Sequence, residues 1–394
     1  MAGGNADVQR LNSVHDNITV HVIPVRLVPR KLAAVQPMTI STAHCCIGDN
    51  SARLSIVCPS RVRPPPATRT AMTFRIPALF AAVALTSVSA FGLTRTRGHA
   101  PLPEPELVGP GIISTALDEL NSAFSPDGQE LYFDINGPAN GFGTIVVSKR
   151  RGDGWSAPVV TSFSGQYTDY DPTISADGKR LIFISNRPVG GVAKAPQDMD
   201  LWSVSRTRDG WGEPVNLGPP LNTPAAEYSP SLAADGTLYF SGRRSDSQGR
   251  VNIYRSRQIN GAFGEPENLG PTINGTATNV DVAIAPDQSF IIFVSYGRPD
   301  ALGSGDLYIS FNRNGQWTVP KNLGAPINSA ALEYAPGLSP DGKYLYFTSQ
   351  RGFATQPLSH PLGFAELRDS VNSIRNGLGN IYRVPLQSVL DANR

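Results

Sequence analysis

Cysteine is missing from almost the whole chain. Cys45, Cys46 and Cys58 all lie in the first 58 residues, so no disulfide framework, thiolate nucleophile or Cys-based zinc site can form downstream. Histidine is nearly as scarce: after His99 only His360 is left, and a Ser-His-Asp triad or multi-histidine metal site would rest on that one residue. Helical periodicity of any length is absent from Pro105 to Pro385, which argues against an α or α/β domain. Charged residues make up only 17% of the chain. Residues 1 to 100 hold 11 Lys or Arg against 3 Asp or Glu, a sum of +8, and the remainder holds 23 against 29, a sum of −6. The acidic remainder offers no basic stripe to displace counterions, which excludes nucleic acid as a partner.

Long apolar runs are also lacking. The longest, Ile76 to Val88, is short of the roughly 20 residues a membrane-spanning helix needs. It sits in "MTFRIPALFAAVALTSVSAFG" from Met72, where Arg75 supplies a positive start and Val88-Ser89-Ala90 a small-residue cleavage site, the layout of a secretory signal peptide. The expectation is an over-extended, unstructured start over 1–71, a signal peptide over 72–90 with a membrane anchor as the alternative, and a linker over 91–103. The downstream domain is then periplasmic or secreted, or else membrane-anchored.

What is abundant is glycine (38) and proline (34), the composition of a turn-rich β protein. The chain writes one unit five times: "ELNSAFSPDGQELYFD" from Glu119, "DYDPTISADGKRLIFISNR" from Asp169, "EYSPSLAADGTLYFSGRR" from Glu227, "NVDVAIAPDQSFIIFVSYGR" from Asn279 and "EYAPGLSPDGKYLYFTSQR" from Glu333. The turn aspartates Asp127, Asp177, Asp235, Asp287 and Asp341 are 50, 58, 52 and 54 residues apart, a period that signals a propeller or an array. Each unit continues into a third strand such as "DLWSVSR" and a fourth such as "DGWGEPVNLG". Four short strands per repeat make one propeller blade.

In Pro-Asp-Gly, proline presets φ and glycine accepts the left-handed conformation, closing a tight hairpin. Ile174, Leu232 and Leu338 and the pair Tyr346-Phe347 are expected to fill the space between blades. Arg187, Arg243, Arg298 and Arg351, facing Asp200, Asn252, Asp306 and Asn380, read as a repeated polar clasp of the scaffold.

The run "SPDGKYLYFTSQR … DLY" followed by "G-x-W-x-x-P-x-N-L-G-x-x-x-N" resembles the WD-like β-propeller repeats of the TolB propeller and of many exported bacterial proteins. The resemblance covers about Pro105 to Val384. It implies a propeller whose members include binding modules, scaffolds and some enzymes. The chain departs from it at Gln288, where the turn glycine is missing, and shows no α/β domain ahead of the propeller.

Repeat five ends at "NIYRVPLQSVLDANR" without a fourth strand, and "EPELVGPGIIST" from Glu104 matches "EPENLGPTING" nearly position for position. The expected fold is therefore all-β: a five-bladed β-propeller over 104–390, with repeats near 119–168, 169–226, 227–278, 279–332 and 333–385. The segment 104–115 supplies the missing strand of the last blade and closes the ring.

In such a fold the starts of the first strands circle the channel on the face that carries the strand-two-to-three loops and the blade connections. Glu119, Asp169, Glu227, Asn279 and Glu333 form a first ring there, and Asn121, Asp171, Ser229, Asp281 and Ala335 a second, two residues on. Water-filled polarity accounts for such residues without any ligand. The functional expectation is a binding or scaffold module, not an enzyme, that recognises a protein or a cation, amine or sugar through Glu119, Asp169, Asp171, Glu227, Asp281, Glu333 and His360. The alternative is a glycoside hydrolase with Glu227 or Glu333 as acid and Asp169 or Asp171 as base. The long insertion 352–379, which carries His360, is the place for specificity. A cell-envelope protein or a carbohydrate is the expected partner, with no cofactor, no metal, no membrane span in the mature domain and a monomeric state.

Overall fold

A computed structural model describes residues 101–394, apart from 138–140, 193–194, 196–197, 248–249 and 353–357. The expected start, the signal peptide or anchor, and the linker up to residue 100 lie outside the described residues.

Five antiparallel sheets are built alike. The first strands are Asp118–Phe124, Asp169–Ile174, Glu227–Leu232, Thr278–Ile284 and Glu333–Leu338. The second are Glu130–Asn136, Arg180–Ser185, Leu238–Gly242, Phe290–Tyr296 and Tyr344–Ser349. The third are Gly143–Arg151, Asp200–Thr207, Asn252–Ser256, Asp306–Arg313 and Asn380–Pro385. Together they form a five-bladed β-propeller of four-stranded blades. Strand order leaves two kinds of face: one carries the Pro-Asp-Gly hairpins, the other the strand-two-to-three loops and the blade connections.

The fourth strand is interrupted. In blades one, two and four it pairs with the third strand in two short pieces, such as Gly154–Trp155 and Val159–Val160, separated by a proline. Proline has no N–H to give the ladder, and the outermost strand is where a sheet tolerates it. Blade five takes its outer strand from Glu106–Leu107, with Glu106 opposite Arg383 and Leu107 opposite Tyr382. Blade three shows the same register, Glu267 opposite Arg255 and Asn268 opposite Tyr254, and the ion pairs match: Glu106–Arg383 and Glu267–Arg255 are both 2.9 Å. The ring is thus closed by the strand that the sequence places first.

The core is five separate clusters, one at each blade interface, because each blade buries the faces of its second and third strands against its neighbour. Tyr346 and Phe347 are buried as expected; Ile174, Leu232 and Leu338 are half-buried, packing against the blade-interface clusters as expected and lining the central channel as well. Two short helices were not legible from periodicity. Phe364–Val371 buries no residue, while Leu386–Asn393 packs Leu386, Val389 and Leu390 onto the blade four–five cluster. Eight residues give too few turns for a periodic signal.

At Gln288 the missing glycine has a replacement. Gln288 takes the left-handed conformation itself (φ 58°). Its side chain donates to Asp235 Oδ2 (2.8 Å) and accepts from the Tyr239 hydroxyl (2.8 Å), tying the hairpin of blade four to blade three.

Candidate functional site

The first ring is buried. Glu119 is 1% exposed, and Asp169, Glu227, Asn279 and Glu333 are fully enclosed. Each side chain closes the connection that precedes it. The backbone N–H groups of Thr115, Thr223 and Ser329 donate to the carboxylates of Glu119, Glu227 and Glu333 four residues on, and the hydroxyls of the same residues do likewise. Ser164 Oγ donates to Asp169 (2.8 Å), and Asn279 Nδ2 donates to the Asn274 carbonyl (2.8 Å). A buried carboxylate needs such donors to offset lost hydration. Burial still raises the pKa of Glu119, Asp169 and Glu227, that of Glu227 to about 7. The first ring therefore contributes nothing to an acidic channel entrance: its oxygens face donors within the protein.

The arginine clasp serves the same connections. Arg187 donates to Asp169 (2.7 Å) and to the Phe163 carbonyl, and lies over Phe183 and Trp202. Arg351 pairs with Glu333 (3.3 Å), reaches the carbonyls of Pro326 and Ile327, and lies over Phe347 and Tyr382. Arg298 follows this pattern against Asn279 and the Ile273 carbonyl. In blade three the arginine is Arg244, which donates to the Pro220 and Leu221 carbonyls over Phe240 and Tyr254, whereas Arg243 is exposed. Counting four residues from the buried phenylalanine (Phe183 to Arg187, Phe347 to Arg351) picks out Arg244. The expected facing of these arginines onto Asp200, Asn252, Asp306 and Asn380 gives way to bonds with the first ring and the connection carbonyls.

The second ring is built differently. Asn121, Asp171, Ser229, Asp281 and Ala335 all have positive φ, between 48° and 66°, and in every blade the pairing of first and second strands slips at that point. These are β-bulges, which re-aim a side chain and leave a backbone N–H outside the ladder. In four of the five blades the freed N–H is taken up across the blade boundary. Asp134 Oδ2 accepts from Asp171 N (2.9 Å), Asp171 Oδ2 from Ser229 N (2.9 Å), Asp281 Oδ2 from Ala335 N (3.2 Å) and Thr348 Oγ1 from Asn121 N (3.0 Å). Side chains continue the belt: Asn121 Nδ2 donates to Asp171 Oδ1 (2.9 Å), and Ser229 Oγ lies 3.1 Å from Asp171 Oδ2 and 2.7 Å from Asp281 Oδ1.

A cavity of about 350 Å³ runs from this belt through the channel. Its walls are small or apolar (Pro172, Pro230, Pro336, Ala123, Ala283, Gly337), and its far rim is Pro126, Ala176, Ala234, Pro286 and Pro340, all exposed. These rim residues belong to the strand-one-to-two hairpins, so the cavity opens on the hairpin face and not on the loop face. Enclosure by protein raises the pKa of Asp171 to about 7, the charge of Asp281 adding to the effect, and Asp281 is raised for the same reason. Asp134, buried behind Asp171, is raised as well. Burial thus favours the protonated form of these carboxyls, which lets the belt donate as well as accept hydrogen bonds.

No family model and no curated protein matches the chain. Its likeness is to solved β-propellers. One is a protein assigned as TolB from Agrobacterium tumefaciens, 17% identical over 68% of this chain and 90% of that one, with a TM-score of 0.41. A gluconolactonase from Xanthomonas campestris is 14% identical over 65% and 84%, at 0.38. A protein of unknown function from Dyadobacter fermentans is 12% identical over 74% and 85%, at 0.40. At these values the likeness says nothing of the chemistry in the channel.

The remaining predicted residue, His360, lies in the blade-five insertion. It is more than half exposed and sits 3.3 Å from Glu366 Oε1, and no described residue of 350–379 lines the cavity. Asp134 was missed by sequence reasoning. Its signal is modest: it is the one acid that follows the buried second-strand phenylalanine, where the other blades have Ile184, Ser241, Val294 and Thr348. Among the described residues no three His, Cys, Asp or Glu side chains converge to hold a metal ion, and no helix is long and apolar enough to cross a membrane.

Proposed function

We propose that this chain is an exported binding module that admits a small polar ligand, bearing hydroxyl or amino groups, into its channel from the hairpin face. The observation that carries this reading is the cavity floor: a belt that holds Asp171 and Asp281 on either side of Ser229, at the end of an open, small-walled channel. Polar groups converging in a concave, partly apolar site are the ordinary basis of small-molecule recognition. Of the expected ligand-binding residues, Asp171 and Asp281 keep that role. Glu119, Asp169, Glu227 and Glu333 support the scaffold, and His360 faces solvent away from the cavity.

The test is a thermal-shift and calorimetric screen of amines and monosaccharides. Ligands should be found whose affinity falls at least 10-fold in Asp171→Asn/Asp281→Asn. Identical affinity in the variant, or no ligand of either class, would overturn the reading.

A glycoside hydrolase is the second reading, favoured by the raised pKa of Asp171 beside a second carboxyl, the poise a general acid requires. The roles first drawn for Asp169, Glu227 and Glu333 lack a path to substrate, since those groups are enclosed. Glycan turnover that disappears in Asp171→Asn would favour catalysis over binding. For localisation, we infer translation from Met72 and export after Ala90 to the periplasm or beyond. N-terminal sequencing of the mature protein should begin near Phe91, and recovery of residues 1–71 from cells would refute it.

A further inference from the structure

The charges that reach the cavity are all of one sign. Among the described residues that line it, the charged side chains are those of Asp171 and Asp281, and none is a lysine, arginine or histidine. Two enclosed carboxyls without a cation in the same cavity are an arrangement that burial penalises, and the pKa of both is raised accordingly. A positively charged ligand supplies the missing counter-charge. The floor also has acceptor capacity to spare. The Asp281 carboxylate accepts from Ala335 N (3.2 Å) and lies 2.7 Å from Ser229 Oγ, which leaves about half of the roughly four acceptor sites of a carboxylate open.

Ser122 is an independent sign of a ligand. It is 6% exposed, lines the cavity one residue beyond Asn121, and its hydroxyl has no hydrogen-bond partner among the described residues. The other blades carry Pro172, Pro230, Val282 and Pro336 at that position, so the repeat itself does not call for a hydroxyl. Gly337 stands beside it, where a Cβ would lie 2.6 Å from Ser122 Oγ. A buried polar group left unpaired destabilises the fold that holds it, and a ligand is the partner that would relieve it.

The walls narrow the chemistry further. Phe124 is the one aromatic side chain among the described lining residues, so the cavity has neither the aromatic cage that holds a quaternary ammonium nor a platform of rings for a sugar. Between floor and rim the wall is mostly proline, alanine, valine, isoleucine and leucine, a surface that suits methylene groups. A cavity of about 350 Å³ holds an unbranched chain of several carbons.

We propose that the channel binds a primary alkylamine, its ammonium held on the floor by Asp171, Asp281 and the Ser122 hydroxyl and its alkyl chain laid along the apolar walls toward the hairpin face. The proposal rests on the ligand reading of this cavity and narrows it to one class. Ammonium is compact and brings three donors, so one ion can serve the carboxylates and the unpaired hydroxyl together.

Calorimetry on the full chain tests it with four probes: hexylamine, hexanol, hexyltrimethylammonium and glucose. Hexylamine should bind about 10-fold more tightly than hexanol, which lacks the charge, and than hexyltrimethylammonium, which keeps the charge but has no N–H to donate. Ser122→Ala should weaken hexylamine about 5-fold and leave the melting temperature unchanged, and Asp171→Asn/Asp281→Asn should weaken it by about 10-fold or more. Equal affinity for hexylamine and either analogue, or for hexylamine in wild type and Ser122→Ala, would overturn the proposal. These comparisons decide the matter even where the double variant fails to fold. Glucose bound in place of hexylamine, and lost in Asp171→Asn/Asp281→Asn, would overturn the amine and leave the broader ligand reading standing. Binding of none of the four would overturn both.

Discussion

The two rings of the channel lie two residues apart on the same five strands, and both are rich in acids, yet the structure treats them in opposite ways. First-ring residues stay in regular pairing and bury their side chains in the blade connections. Second-ring residues sit in bulges, with positive φ and side chains on the belt that floors the cavity. In a strand, residues i and i+2 share a face; a bulge between them breaks that rule. Acidity in a repeated motif is therefore no guide to access until the backbone conformation is known.

The largest effect that breaks this comparison should come from the first ring. Glu333→Ala leaves Arg351, Ser329 and Ser349 without their acceptor and should cost about 3–5 kcal/mol, as when a buried pair loses one member. Chemical denaturation measures it, and a loss under about 1 kcal/mol would return Glu333 to the solvent. Next, Arg244→Ala should cost about 2 kcal/mol through two abandoned carbonyls, against about 0.5 kcal/mol or less for exposed Arg243→Ala. Equal costs would undo the assignment of the clasp.

The second ring should respond to pH instead. Enclosure by protein, with the Asp281 charge beside it, pushes the Asp171 pKa in the folded chain up to about 7, against about 3.9 for an ordinary aspartate. Below both values the carboxyl is protonated in either state and no penalty arises. As pH rises from about 4 to about 7 the unfolded chain ionises while the folded one keeps its proton, so folding is progressively disfavoured. Asp171→Asn cannot ionise, and its stability relative to wild type should grow by on the order of 1 to 3 kcal/mol between pH 4 and pH 8. A difference that is flat with pH would show that the carboxyl is solvated. The smallest effect belongs to His360→Ala, which should leave the melting temperature and channel binding unchanged, since the ring is exposed and remote from the lining.

Much of the architecture is legible without coordinates, because the signals are local and written five times. The Pro-Asp-Gly turn, the buried aromatic of the second strand and the Trp-x-x-Pro strand each act within a few residues. The seam is visible because "EPELVGPG" repeats "EPENLGPT" at the other end of the domain. The candidate site is legible only in part. Asp171 and Asp281 were picked out by their position in the repeat. Their setting was not, because the bulge residues Asn, Asp, Ser, Asp and Ala share no type that announces positive φ. Asp134 was hidden for a different reason: it acts on the neighbouring blade, 37 residues away.

The sequence by itself determined the number of blades, the place of the hairpins and the way the ring closes, since these follow from local turn chemistry and periodic burial. Only the tertiary structure decided which acids meet the channel and from which face the channel opens. Both depend on five blades packing side by side, so that an N–H freed in one blade finds its acceptor in the next and the small residues of five first strands leave a common space between them.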